Sequence, residues 1–476
     1  MFGTLISAFK SWWHDDEMPA KPRPKPASTP AAVEAALDLD PPPGIPESEV
    51  HIVSPADASE PAPADPVLVH REVLDEGLAV RGIEFFIRGE LRNKVATQRS
   101  SMRRFLDSML IDQLASLRSI PMRQRQAWVQ LSEASLMRLG TGKLPPKACV
   151  LLWPEDSHHK AHADTRDAIA TMQDAGHEVW LDDCIGTPWF TSLAEIANGA
   201  TLRLAMRTPF ELNDLLKAAR DQYTGLKLGA WDVGTVDDYE MARKLRCTRF
   251  SGSFVTRRED WSGNILSPQM LNVARLINQI REETNLRAVA QVLKQDMAMS
   301  YRLLRYVNAA AHGLNQHISS IEQGLLILGQ DQLDRWLTLL LLSGGGLGDT
   351  ALTEVALTRG RFLELIGAYR LPPEQCEKLF VLGLFSMLDV ALKVPLAEAI
   401  KPLRLSEVMN TALLKREGPY GMYLSLADAC ERGVASEIIK YALMLGLTTS
   451  KVSARQIEAI NWVAEISAEP ALRTAQ

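Results

Sequence analysis

Several ordinary signatures of catalysis, metal binding and export are missing from this chain of 476 residues. Its five cysteines, Cys149, Cys184, Cys247, Cys376 and Cys430, are scattered, odd in number and never spaced as a CxxC pair. That excludes a disulfide framework or a zinc ribbon and leaves reduced, buried thiols as the expectation. Positive charge is not in excess: 52 Lys and Arg stand against 58 Asp and Glu, the net charge is −6 and the pI is near 5.9. A nucleic-acid partner is therefore not expected. No apolar run approaches the roughly 18 residues that span a bilayer. The longest, Leu337 to Leu342, has the spacing of a bundle helix. A cytoplasmic protein is expected, with one candidate for peripheral contact with a membrane at its start.

That candidate is the segment over residues 1–17, MFGTLISAFKSWWHDDE, where Phe2, Leu5, Ile6, Phe9, Trp12 and Trp13 gather on one side of a helix. A membrane surface or a partner groove fits it, and so does the protein's own surface. The basic start, long apolar centre and small-residue cleavage site of an export signal are missing from it. Residues 18–66 hold 13 of the 26 prolines with many Ala, Asp and Glu, a composition that cannot bury enough apolar surface to fold. They read as an extended linker. The remaining length, with 46% hydrophobic and 23% charged residues overall, supports two cores.

From residue 67 to about 262, β-rich runs alternate with helical ones. Strands are expected at 83–88, 127–132, 148–153, 178–183, 201–206, 226–231 and 248–254, with helical spacing at 101–117, 164–176, 209–223 and 235–245. Such alternation predicts a parallel sheet and a small or incomplete β/α barrel. From 263 to 470 the spacing turns helical. In the stretch from Tyr301 to Leu342, Leu303, Leu304, Val307 and Ala311 form one apolar stripe. Gly313 and Asn315 supply turn geometry, Ser319 or Ser320 can cap the next helix with Glu322 or Gln323 reaching back, and Gly329 ends it before Leu333, Trp336 and Leu337.

The run LLRYVNAAAHGLNQHISSIEQGLLILGQDQLDRWL resembles the first half of an HDOD domain, the helical output domain related to HD phosphohydrolases. FVLGLFSMLDVAL and ALLKREGPYGMYLSLADACERG resemble its later helices. HD phosphohydrolases hold a divalent ion with adjacent His and Asp side chains. Where that pair would fall stand Ser386 and Met387, with Asp389 close by, and neither His312 nor His317 lies in a ligand-like cluster. No metal is expected there.

The upstream barrel resembles an EAL domain, the fold of cyclic di-GMP phosphodiesterases. Glu84-Phe85-Phe86-Ile87-Arg88 stands where the EALxR motif would be, and Asp182 and Asp183 stand in LDDCIGTPWFTSL where the family has a DDFGTGYSSL-like run. The resemblance implies carboxylates and an Asn around one or two metal ions that activate water. Against it, Gln130 stands for the Asn, Leu152 for the third-strand Glu and Arg203 for the Lys. Ala205, Trp231, Gly234 and Ser251 stand at further ligand positions. The β/α barrel is thus expected to be a degenerate EAL domain that carries no catalysis and needs no cofactor. On this reading the chain is a non-enzymatic adaptor whose HDOD bundle binds regulatory proteins. The alternatives are a receptor for cyclic di-GMP, with a phosphate held by Arg88, or an atypical phosphodiesterase. Glu84 and Arg88, four apart on one strand face, are expected to pair inside the barrel mouth, and Asp182 and Asp183 to serve as turn and cap residues.

Overall fold

A computed structural model describes residues 67–88, 100–114, 125–257, 261, 264–266, 268–282, 286–295, 303, 304, 307, 320–342 and 349–468. The segments over 1–17 and 18–66, and His312 and His317, lie outside the described residues.

The first part is a closed barrel of eight strands in sequence order: β1 (Val67–Leu74), β2 (Val80–Arg88), β3 (Gln126–Ser132), β4 (Cys149–Trp153), β5 (Glu178–Asp182), β6 (Gly199–Arg203), β7 (Lys227–Trp231) and β8 (Arg249–Ser251). Strands β2 to β8 pair in parallel, while β1 runs antiparallel to both of its neighbours. The barrel is therefore complete, not small or incomplete as the sequence suggested. The strand that closes it, VLVHREVL, lies next to the proline-rich linker and was passed over.

Between the strands lie α1 (Ser100–Gln113), α2 (Glu133–Leu136), α3 (Ala163–Asp174), α4 (Pro188–Leu193), α5 (Pro209–Gln222) and α6 (Val236–Lys244). Local signals set their starts. Thr208 caps α5 and Glu211 reaches back to it, and Thr235 and Asp238 form the same reciprocal box on α6. Buried Glu133 ties the outer helices to the barrel, accepting from the Thr165 hydroxyl at 2.6 Å and the Trp189 indole at 2.8 Å.

The barrel interior is filled by indoles. Trp128, Trp180 and Trp231 are fully buried with Val73, Cys149 and Leu151, and Trp128 meets Trp180 edge-on with ring centroids 5.0 Å apart. Glycines make the room. A Cβ on Gly82 would lie 2.5 Å from Trp128, one on Gly199 2.5 Å from Trp180, and one on Gly229 2.5 Å from Trp231. Those three positions are glycine because three large rings share a narrow barrel.

The second part is all helical: α7 (Pro268–Glu282), α8 (Leu286–Gln295), α9 (Ile321–Leu342), α10 (Asp349–Gly367), α11 (Pro373–Phe385), α12 (Leu388–Leu392), α13 (Leu396–Ile400), α14 (Glu407–Lys415), α15 (Gly421–Arg432), α16 (Ala435–Met444) and α17 (Thr449–Ala468). Helix α9 breaks at Gly329, with φ of 71°, and the Ser320 hydroxyl accepts from the Gln323 N–H at 3.2 Å, both as the sequence predicts. Glu322 makes no box with that cap and pairs instead with Lys294. Helix α10 packs along α11 and α17, and one apolar core joins these helices. Among the described residues no single helix is long and apolar enough to cross a membrane. One pair, bent by 117° at 392–396, passes on length and composition, and much of it is buried in this core.

Because β1 joins β2 through a hairpin, no crossover helix covers its outer face. Helices α15 and α17 do so instead. Ala351, Ile457 and Ile460 extend the barrel's apolar layer across this junction, and Arg125 pairs with Glu354 at 2.5 Å, each side chain only 8% exposed.

Candidate functional site: the barrel mouth and the junction

The strand pleat turns Glu84, Gln130, Asp182, Thr201, Arg203 and Ser251 inward toward the carboxyl ends of the parallel strands. Asp182 is buried and saturated: Thr201 donates to it at 2.7 Å, Gln130 at 2.8 Å and Arg203 at 2.9 Å. Arg203 also donates to Asp232 at 3.0 Å, and Arg71 of β1 donates to the other Asp232 oxygen at 2.8 Å. Two guanidiniums and two carboxylates therefore alternate across the mouth. Burial disfavours the charged form of Arg203, but Asp182, Glu84 and Asp232 outweigh it and raise its pKa. Asp232 is likewise held below the usual carboxylate range by Arg203 and Arg71, against a burial cost. Burial raises Glu84, which Arg203 and Arg71 offset only in part.

Asp183 lies apart from this group. In left-handed backbone at φ 50°, it accepts from the Arg203 N–H at 3.1 Å and pairs with Arg207. The Ser251 hydroxyl donates to Glu84 at 3.4 Å, and the expected pairing of Glu84 with Arg88 falls on a side chain outside the described residues. Leu152 faces the outer apolar layer, so it does not occupy a ligand position at the mouth. Trp231 packs down into the interior and leaves the mouth position of its strand to the neighbouring Asp232. Arg71 and Asp232 were missed by sequence reasoning. Arg71 sits on the unrecognised strand, and Asp232 follows a strand whose expected end was Trp231.

The helical part has its own charged centre. Arg359 of α10, its side chain 1% exposed, donates to Glu431 at 2.6 Å and to the Ser386 hydroxyl at 2.7 Å, and pairs with Asp428 at 3.1 Å. Arg416 holds the other Asp428 oxygen at 2.8 Å. At Ser386, the place where a metal pair would fall, a guanidinium is therefore the cation.

The resemblance implies divalent ions at the mouth, and the described residues do not fit them as arranged. No three His, Cys, Asp or Glu side chains among them stand together as ligands, and Arg203 already occupies Asp182 and Asp232.

Residues 266–388 match the HDOD domain. The chain carries an HDOD domain. Over 309 residues it is 27% identical to the cyclic di-GMP phosphodiesterase CdgJ of Vibrio cholerae, covering 64% of this chain and 71% of that protein. Over 212 residues it is also 27% identical to the uncharacterized protein YuxH of Bacillus subtilis, 44% of this chain and about half, 52%, of the relative. Among solved structures, the EAL domain protein of Listeria monocytogenes covers 40% of the chain and 87% of its own at 14% identity and a TM-score of 0.30. The EAL domain of Mycobacterium smegmatis DcpA covers 39% and 90% at 18% identity and a TM-score of 0.30. A closed β/α barrel followed by helices that carry the HDOD match is the architecture of this chain.

One expectation is overturned. The sequence reading held that the chain is not an enzyme, whereas the relative CdgJ, 27% identical over 309 residues, is named a cyclic di-GMP phosphodiesterase. The earlier reading equated altered ligand positions with lost chemistry. Arg203 and Asp232, with 22% and 28% of their side chains exposed, form an ion pair that solvent reaches at the mouth.

Proposed function

We propose that the chain is a signalling protein that takes cyclic di-GMP at the barrel mouth and acts on regulatory proteins through its helical part. The observation that carries this is the Arg71–Asp232–Arg203 bridge at the mouth. A phosphodiester offers two oxygens in the geometry of a carboxylate, so it can displace Asp232 and take both guanidiniums without leaving either unpaired. Kinship with CdgJ supports the choice of nucleotide, and hydrolysis is the activity named for that relative. Exposed Val408, Leu414, Leu443 and Met444 give the helical part apolar surface suited to protein contacts.

Titration calorimetry with cyclic di-GMP, with and without Mg²⁺ or Mn²⁺, tests the reading, with chromatography of the nucleotide afterwards. Saturable binding that weakens at least tenfold in Arg203→Ala supports it, and any turnover measures how far the kinship to CdgJ extends. Absence of both binding and turnover refutes it. In this reading residues 1–17 form a docking segment carried on the linker at 18–66, ahead of a barrel at 67–262 and helices at 263–470. Recovery of partner proteins by the full chain and by a version lacking 1–66 checks that segment, and equal recovery counts against it.

A further inference from the structure

A cleft of about 560 Å³ opens beside the mouth, between β1, the residues after β8, and helices α10, α15 and α17. Its barrel wall includes His70, Arg71, Glu72, Asp232, Ser253 and Thr256, and its helical wall includes Arg359, Phe362, Glu431, Arg432 and Gln456. Arg71 and Asp232 belong to both the mouth and the cleft, so a ligand held at one reaches the other.

The charges in this cleft do not balance at one place. Arg71 is committed to Asp232, Arg359 to Glu431 and Asp428, and Arg125, behind the wall, to Glu354. Glu72, next to Arg71 on the opposite face of β1, has no ion-pair partner among the described residues. Its neighbours are like charges, Glu431 and Glu354, with Arg125 a weaker favourable influence. Burial, with those two acids adding to it, pushes its pKa up to about 7 against the opposing pull of its own backbone hydrogen bond and of Arg125. His70, the other titratable group on that face, is lowered to about 4 by burial and stays neutral at physiological pH. Beside arginines already committed to other acids, Arg71 to Asp232, Arg359 to Glu431 and Arg432 to Glu437, the cleft thus holds a carboxylate with room for two parallel N–H donors.

We infer that Glu72 reads the guanine edge of the nucleotide, so that the binding site is completed by the junction between barrel and helices. The N1–H and N2–H of guanine form a guanidine-like pair that meets a carboxylate in the bidentate manner. Arg432 and Gln456 supply donors for the acceptor atoms O6 and N7 of the same base. Adenine presents an acceptor at N1 and cannot make the pair. A dinucleotide with phosphate at Arg71 and one base against Glu72 would touch both parts of the chain and link nucleotide to helices.

This inference rests on the nucleotide reading above, and the test separates the two. Affinities of the full chain and of Glu72→Gln are measured for cyclic di-GMP and cyclic di-AMP by calorimetry at pH 8 and pH 6. Glu72→Gln keeps the shape and removes a half-buried charge, so folding is not at risk. The expected result is a preference for the guanine nucleotide of about tenfold or more, lost in the variant. A fall in wild-type affinity of about tenfold from pH 8 to pH 6, as Glu72 takes up a proton, is also expected and should be absent from the variant. Wild-type binding that matches the variant for both nucleotides at both pH values overturns the role of Glu72 and leaves the mouth as the site. No wild-type binding at all overturns both.

Discussion

Replacing Glu72 by Gln should stabilise the protein, and by an amount that depends on pH. In the folded chain the carboxyl is raised to about 7 from an ordinary 4.5 by burial, with Glu431 and Glu354 adding to it. The folded state therefore binds the proton more tightly than the unfolded one. Stability contributed by that proton is fully present below about pH 4.5 and is lost as pH rises through 7. A shift of this size corresponds to about 3 kcal/mol at the upper end, and to about 2 kcal/mol once partial access of solvent from the cleft is allowed for. Glutamine has the same shape and no charge to bury. Urea unfolding of wild type and Glu72→Gln at pH 8 should show the variant more stable by about 2 kcal/mol, and at pH 4.5 the two should nearly coincide. An equal gain at both pH values, or a loss at pH 8, would refute the argument that a carboxylate without an ion-pair partner is half-buried at the junction.

Other outcomes follow from the packing. Gly199→Val should destabilise the barrel by about 3 kcal/mol or more, since its Cβ would stand 2.5 Å from the Trp180 ring, and a shift in the denaturant midpoint reads it. Arg359→Met should cost about 3 kcal/mol at pH 7 by leaving Glu431 and Asp428 facing each other without their shared cation, read in the same assay. Thr208→Ala removes the hydroxyl of an exposed capping box and should cost only about 1 kcal/mol in the same assay.

How far the sequence revealed these features depended on whether each signal was local. The capping of α9 by Ser320 and its break at Gly329 were legible, because both are set by a few adjacent residues. The parallel strands and their helices were legible from alternation. Strand β4, CVLLW, was misread by one residue because it is apolar on both faces, so nothing in its pattern fixes which side chains point inward. Strand β1 carries polar His70, Arg71 and Glu72 in its middle and resembles a loop until the helices that cover its outer face are in view. Arg71 and Glu72 acquire meaning only from Asp232, Glu354 and Glu431, which are distant in sequence. The helix α10, which carries Arg359, was not singled out either, since its role comes from contacts with α11 and α15.

Hydrogen exchange on the full chain with and without cyclic di-GMP tests the account most directly. It predicts added protection at both sides of one site, in residues 67–74 and 199–207 of the barrel and in 421–432 of the helical part. Protection confined to other segments, or no change at saturating nucleotide, would contradict it.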